Sequence, residues 1–308
     1  MQAPDESPTV QTRFQRQMRL QADEARPGRY QTVIGSEWNC PLVPHGGIVT
    51  AVAASAMRDE LDHPEQRLRS VTAVFAGQVR PGPVEVDVTV LRRGRTMSQV
   101  AATICNVGEA AGHTSVAVFG ASRPGFEFTD LTPPSAPPPE ECRSFRDRPS
   151  HWEEQIHFNF WEHVEGRAAA GHAPWEPYLP TSSECMTWYR IDESPRLADG
   201  VIEPLALVTL CDTMPNAGRE RMGPGLPVWL PPSADLTVHL LGDARSDWLL
   251  GRNRARRAGD GYASVDVELW DRDAGLVAYG TQMMFFTFPD GPPTPDQRAP
   301  RTSQPDAP

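Results

Sequence analysis

Hydrophobic and polar residues alternate along several stretches of the chain, as is typical of half-buried β-strands. Val84–Arg92 (VEVDVTVLR) alternates strictly, and Ala234–Leu241 places its apolar residues on one face and its polar residues on the other. Two other stretches are apolar without this alternation. They are residues 47–61 (GIVTAVAASAMRDEL) and Leu205–Met214 (LALVTLCDTM), and both predict helices.

The same order of elements occurs twice. Each predicted helix is followed by four predicted strands: Ser70–Gln78, Val84–Arg92, Ser98–Asn106 and Thr114–Gly120 in the first half, and Ala234–Leu241, Trp248–Arg254, Tyr262–Trp270 and Leu276–Phe286 in the second. One helix followed by an antiparallel meander, made twice, predicts a duplicated α+β unit. We expect each sheet to curve around its helix.

Two proline-rich segments divide the chain. Residues 129–140 (TDLTPPSAPPPE) predict an extended linker, and the segment after Phe288 is too rich in Pro, Asp and Arg to bury a core. The predicted organisation is an N-terminal unit over 1–128, the linker, a C-terminal unit over 141–288 and a disordered tail over 289–308.

Composition excludes several kinds of chemistry. The chain contains no lysine, which rules out a Schiff-base or pyridoxal-phosphate lysine and a Walker-type phosphate site. Its net charge of −11 disfavours nucleic acid as a partner. Neither G-x-S-x-G nor HExxH is present, so the sequence predicts neither an α/β-hydrolase nor a zinc hydrolase of that type.

The cysteines and the apolar runs bear on compartment and metal binding. Five cysteines are far apart and form no CxxC pair, which predicts reduced thiols and no metal site. No apolar run is long enough for a signal peptide or a membrane span. We therefore expect a soluble, cytoplasmic protein. The cysteines are Cys40, Cys105, Cys142, Cys185 and Cys211.

The start of the first helix could bind an anion. His45 is followed by Gly46 and Gly47, with Asn39 shortly before them. Two glycines allow a ligand to approach the backbone closely, and free N–H groups at a helix N-terminus can stabilise an oxyanion such as that of a thioester carbonyl. The alternative is a tight turn that needs two glycines and is capped by His45.

Eight stretches form an ordered pattern across both halves: WN, HGGIVTAVAASAM, SVTAVF, RPGPVEVDVTVLRRGRTMS, LALVTLCDTMPNA, SADLTVHLL, DWLL and LVAYGTQ. Taken in order, these stretches resemble the acyl-CoA thioesterase II family and its thioesterase-like relatives, over roughly residues 30 to 288. The resemblance implies an α+β double hotdog fold and an acyl-CoA substrate, with no cofactor beyond the coenzyme A of that substrate. It leaves open whether such units associate as a homodimer.

The resemblance also implies a composite site. Single-domain relatives carry an acidic residue nine positions after the histidine, but here that position is Ala54. The second helix has Asp212 nine positions after Glu203, without the two glycines. Because related sites are shared between two units, the glycine turn of one half and Asp212 of the other could form one site. The alternative for Asp212 is a local structural role at a helix end.

A second acidic candidate lies in a strand. In acyl-CoA thioesterase II an Asp, a Thr and a Gln hold the attacking water, and the resemblance places the Asp at Asp235 and the Gln at Gln282. The expected Thr would fall near residues 256–258, where there is none. Thr281, Thr237 or a backbone group would have to replace it, or activity would be reduced. Asp235, with Gln282, is the leading candidate for the base that deprotonates the water, and Asp212 is the competing one; the sequence does not decide between them.

Arginines cluster in two predicted hairpins. Arg93, Arg95 and Arg256 are candidates for contacts with the phosphates of coenzyme A, since guanidinium groups bind phosphate in bidentate fashion. The alternative is a pair of solvated hairpin tips.

The prediction that results is an acyl-CoA thioesterase in which a general base activates water. One alternative is a thioesterase that acts on acyl carrier protein. The other is a catalytically weak protein that binds acyl-CoA, which the missing Thr favours.

Overall fold

The computed structural model describes residues 11–150, 157–224, 226–273 and 275–299. The first ten residues of the predicted N-terminal unit and the last nine of the predicted tail lie outside this part of the chain. Within it, thirteen strands form one antiparallel sheet with four α-helices. No helix in these ranges is long and apolar enough to cross a bilayer.

The first half contains α1, α2 and six strands. Their bounds are α1 Arg13–Gln17, β1 Gln21–Ala22, β2 Arg29–Ile34, α2 Gly46–Leu61, β3 Arg67–Phe75, β4 Gly82–Arg92, β5 Met97–Asn106 and β6 His113–Gly120.

The second half contains α3, α4 and seven strands. Their bounds are β7 Arg143–Ser144, β8 Val164–Ala170, β9 Glu184–Ile191, α3 Pro204–Cys211, α4 Asn216–Met222, β10 Asp235–Leu240, β11 Leu249–Gly259, β12 Tyr262–Asp271 and β13 Gly275–Phe285. Short 3-10 turns lie at Ser36–Trp38, Pro139–Glu141, Asn159–Glu162 and Pro295–Gln297.

Both predicted helices and all eight predicted strands are present, with bounds shifted by a few residues. The second helix ends at Cys211, three residues before its predicted end, and α4 follows after a turn. The pattern did not predict α1, α4 and strands β1, β2, β7, β8 and β9.

The strand order shows the duplication directly. It runs β1-β2-β4-β5-β6-β3-β10-β13-β12-β11-β9-β8-β7, so β3 and β10 are the central pair and the two halves follow in matching order on either side. At the centre Thr72 pairs with Thr237, and their hydroxyl oxygens are 3.0 Å apart. The double hotdog fold expected from the resemblance is confirmed.

Helices α2 and α3 lie antiparallel inside the sheet. Gly47 at the start of α2 contacts Asp212 just after α3, and Arg58 near the end of α2 donates to Glu203 before α3 over 3.0 Å. Small residues permit this close packing: a Cβ on Gly47 would lie 2.8 Å from the Thr209 carbonyl oxygen. The helix ends are therefore shared between the two halves.

Residues 129–138 form no helix or strand, and the end of the linker, from Ala136 to Pro139, lies against the second half. The Pro137 carbonyl accepts a hydrogen bond from Trp188 Nε1 at 2.8 Å, and the Pro139 carbonyl accepts one from Arg167 at 2.9 Å. Trp188 packs there with Leu250 and Trp270 in a small second core. This part of the sheet is thus covered on both faces.

Candidate active site

Asp212 caps the end of α3 and is 7% exposed. Its Oδ2 atom accepts the backbone N–H of Gly47 at 2.8 Å, and its Oδ1 atom accepts the hydroxyl of Ser233 at 3.2 Å. Residues from α2, from α3 and from the segment before β10 therefore meet at one carboxylate. A carboxylate held by several donors, at the boundary of two halves, is placed to accept a proton from a bound water.

Gln282 completes this cluster from the inner face of β13. Its Nε2 atom donates to the Ser233 hydroxyl, while its Oε1 atom is buried without a hydrogen-bond partner among the described residues. A buried polar atom without a partner is uncommon in a folded protein. The unpaired amide oxygen is available to a water or to a substrate.

The glycine turn lies directly beside Asp212. The Gly46 N–H has no partner in the described ranges, and Gly46 is only half-buried. A Cβ on Gly46 would lie 2.7 Å from Phe75 Cε2 and 2.9 Å from Asp212 Oδ2. Glycine is therefore needed for the carboxylate to approach, and a free N–H at a helix N-terminus remains for a developing oxyanion.

His45 forms a wall of the site. Its Nδ1 atom is 3.6 Å from Asp212 Oδ2, and its ring stacks on Phe160 with centroids 4.1 Å apart. The Phe160 N–H donates to the Asn39 carbonyl at 3.2 Å. A turn of the second half therefore covers the glycine loop of the first half.

Burial sets the protonation of this group. It raises the pKa of the Asp212 carboxyl, while His45, the Gly47 N–H, Ser233 and Gln282 act in the opposite direction. Burial lowers the pKa of His45, against the opposing effect of Asp212. Burial therefore favours the neutral form of both groups, and it makes the Asp212 carboxyl a stronger base than an ordinary Asp.

Cys211 precedes Asp212 and is also buried. Burial, and then the Asp212 charge, raise the pKa of the Cys211 thiol well above its ordinary value. A thiol that stays protonated is a poor nucleophile. The basic group of this cluster is the carboxylate.

Asp235 does not join this cluster. Its strand points Leu236 and Val238 inward, and Asp235 lies on the opposite, outer face, paired with Val74 of β3. Its Oδ1 atom accepts the backbone N–H of Met283 at 2.7 Å. Gln282 is therefore brought together with Asp212 and Ser233, and Asp235 is not.

The three arginines predicted to contact phosphate differ in their surroundings. Arg93 donates to the carbonyls of Glu60 and Leu61 at the end of α2, which at a rise of about 1.5 Å per residue is about 22 Å from Gly46. Arg256 pairs with Asp266 on β12. Arg95 is exposed at the turn between β4 and β5. Two of the three arginines thus have internal partners.

Ser233, Phe75 and Phe160 are site residues that the sequence did not single out. Ser233 places a hydroxyl at Asp212, whereas Thr237 bonds Thr72 and Thr281 is exposed. The position of Ser233 two residues before Asp235 predicts, by simple alternation, that it shares the outer face with Asp235. No signal in the sequence contradicts that placement.

The two halves match separate family models. The model of the acyl-CoA thioesterase N-terminal domain matches residues 34–120, and that of the C-terminal domain matches residues 139–286. No curated protein matches the chain.

Solved structures share the whole fold. A conserved protein of unknown function with a hot dog fold, from Alicyclobacillus acidocaldarius, is 23% identical with a TM-score of 0.75, and the match covers 91% of this chain and all (100%) of the other. An acyl-CoA thioesterase II from Mycobacterium marinum is 19% identical with a TM-score of 0.69, and the match covers 91% of this chain and 100% of the other. A tesB protein from Mycobacterium avium subspecies paratuberculosis is 20% identical with a TM-score of 0.67, and the match covers 89% of this chain and 98% of the other.

Proposed function

The chain belongs to the acyl-CoA thioesterase family, and we propose that it hydrolyses the thioester bond of an acyl-CoA with Asp212 as the general base. The observation that carries the proposal is one carboxylate beside one free backbone donor. Asp212 accepts hydrogen bonds from Gly47 and Ser233. Gly46 lies next to this carboxylate, and its N–H has no partner among the described residues. A base and an oxyanion donor at one point are what ester and thioester hydrolysis require.

The reaction begins with a water at the Asp212 cluster. Ser233 and the Gln282 amide orient the water, and Asp212 takes one of its protons as the oxygen attacks the thioester carbon. The carbonyl oxygen becomes an oxyanion that the Gly46 N–H and the positive end of α2 stabilise.

The tetrahedral intermediate then collapses. The carbon–sulfur bond breaks, and sulfur leaves with the electron pair as a thiolate. Thiols ionise near pH 8.5, so this leaving group departs readily. The proton held by Asp212 neutralises the thiolate, and the products are a carboxylic acid and free coenzyme A.

Asp212 suits the role of base better than Asp235 does. Burial raises the pKa of Asp212 and so increases its basicity, and its partners fix its position beside the glycine turn. Asp235 faces outward and has its oxygen engaged by the Met283 N–H. General-base assistance is worth about 100- to 10,000-fold in rate, so the two assignments are readily separated.

Two alternatives are weaker. A carrier-protein thioesterase must dock an acidic partner, which the net charge of −11 opposes. A protein that only binds acyl-CoA was favoured by the missing Thr of the resemblance. The hydroxyl that Ser233 places at Asp212 supports hydrolysis rather than binding alone.

The test is thiol release from short, medium and long acyl-CoAs, with Asp212→Asn as the isosteric variant that cannot accept the proton. We expect turnover by the wild type and a loss of about 100-fold or more in Asp212→Asn, with acyl-CoA binding retained. If the wild type binds acyl-CoA but hydrolyses none of the chain lengths, the proposed hydrolysis is wrong and the binding-protein alternative stands.

A further inference from the structure

The pairing of β10 with β13 contains a one-residue bulge beside the candidate site. From Thr237 to Leu240 the register is regular, with Thr237 opposite Thr281. Continued without interruption, it would place Ser233 opposite Phe285. Ser233 instead pairs with Met284. The β10 side therefore has one more residue than the β13 side between this pair and Thr237–Thr281, which is a β-bulge.

This bulge determines where Ser233 points. In a regular strand Ser233, Asp235 and Thr237 would share the outer face, because side chains alternate. A slip of one residue turns a side chain to the other face. Ser233 accordingly points inward, where its hydroxyl bonds Asp212 and accepts from Gln282.

The bulge also leaves a backbone donor to be satisfied. In an uninterrupted register Asp235 would lie opposite Met283. The Met283 carbonyl instead accepts the backbone N–H of Ala234. The Met283 N–H is taken by the side chain of Asp235, at 2.7 Å. The carboxylate thus occupies the position of a ladder acceptor, and it does so next to Gln282 in the chain.

We propose that Asp235 is a positioning residue, which holds Ser233 against Asp212 by closing the bulge between β10 and β13. Its carboxylate contacts neither Asp212 nor Ser233, and it acts through the backbone of Met283. The inference rests on the proposed function for its effect on turnover, but the bulge itself can be tested without activity.

Asp235→Asn and Asp235→Val separate the possible roles. The Asn side chain keeps an oxygen that can accept the Met283 N–H, whereas Val has strand propensity but no acceptor. We expect Asp235→Asn to retain a kcat close to that of the wild type. Asp235→Val should lower kcat by about 10- to 100-fold, because it removes one hydrogen bond to a charged group, and KM should change little.

A double variant supplies the readout that a general loss of structure would not reproduce. If Asp235 acts only through Ser233, Ser233→Ala combined with Asp235→Val should be no slower than Ser233→Ala alone. Additive losses would overturn the proposal. An Asp235→Asn variant as inactive as Asp235→Val would also overturn it, and would make Asp235 the base instead.

Hydrogen exchange of the Met283 amide tests the same contact in the absence of substrate. The amide should exchange slowly in the wild type and in Asp235→Asn, and faster in Asp235→Val. His239→Asn, on the same face of β10 but beyond the bulge, is the matched control and should leave it protected. Unchanged protection in Asp235→Val would refute the proposal even if no acyl-CoA is hydrolysed, whereas failure of the proposed function would show only in thiol release.

Discussion

The Gly47 N–H donates to the Asp212 carboxylate over 2.8 Å and so joins the first turn of α2 to the end of α3. These residues are 165 positions apart in the chain and belong to different halves of the duplicated fold. Neither half alone contains both the glycine turn and the acid. The candidate site therefore exists only when the two halves pack around their shared helices.

Gly47→Ala should destabilise the protein. The added Cβ would lie 2.8 Å from the Thr209 carbonyl oxygen and 3.0 Å from Asp212 Cβ, so α2 and α3 would have to separate. We expect a loss of about 1–3 kcal/mol in the free energy of unfolding, measured by urea denaturation. Gly125→Ala is the control, because a Cβ there meets nothing within 4 Å. Equal losses in the two variants would contradict the packing described for Gly47.

The stability of Asp212→Asn relative to the wild type should increase with pH. Burial raises the pKa of Asp212, so the folded protein favours the protonated carboxyl. The stability due to this group is full below the pKa of the unfolded chain and is lost as the pH rises through the folded value. Asn is permanently uncharged and avoids that loss. The difference in unfolding midpoint between Asp212→Asn and the wild type, measured at about pH 5 and pH 8, should shift in favour of Asn as the pH rises. A shift in favour of the wild type would count against a buried, charged Asp212.

The acid limb of the pH profile should report Asp212. We expect kcat/KM to rise with pH as this carboxyl ionises, with an apparent pKa above that of an ordinary Asp, because burial raises it. The Ser233 hydroxyl lowers this pKa, so Ser233→Ala should move the limb to higher pH. Ser264→Ala, exposed on the outer face of β12, is the control. A limb that does not move in Ser233→Ala would separate Ser233 from the base.

Arg93 and Arg95 should respond differently to the same change. Arg93 donates to the last carbonyls of α2, so Arg93→Gln should lower the free energy of unfolding by about 0.5–1.5 kcal/mol and leave KM for acyl-CoA unchanged. Arg95 is exposed, and its phosphate role remains a prediction, under which Arg95→Gln raises KM. Unfolding curves and steady-state kinetics on both variants test this. A raised KM in Arg93→Gln would restore the phosphate role to that residue.

The elements with one buried face could be predicted from the sequence. Val84–Arg92 lies within β4 and alternates because only its inner face is buried. β9 was missed for the opposite reason: Trp188 is buried on its outer side against the proline-rich linker, and Tyr189 on its inner side. A strand covered on both faces has no alternation, and the linker that covers it lies far away in the sequence.

The sequence alone predicts the duplicated α+β order, the two central helices, the glycine turn and an acidic residue at the end of the second helix. These follow from local periodicity and from residue types at short spacing. Tertiary packing brings Asp212, Ser233 and Gln282 together and leaves Asp235 facing outward. The reason is a slip of one residue in the pairing of β10 with β13, which reverses the direction of Ser233. Pairing register is a relation between two strands, and the residues of either strand alone do not contain it.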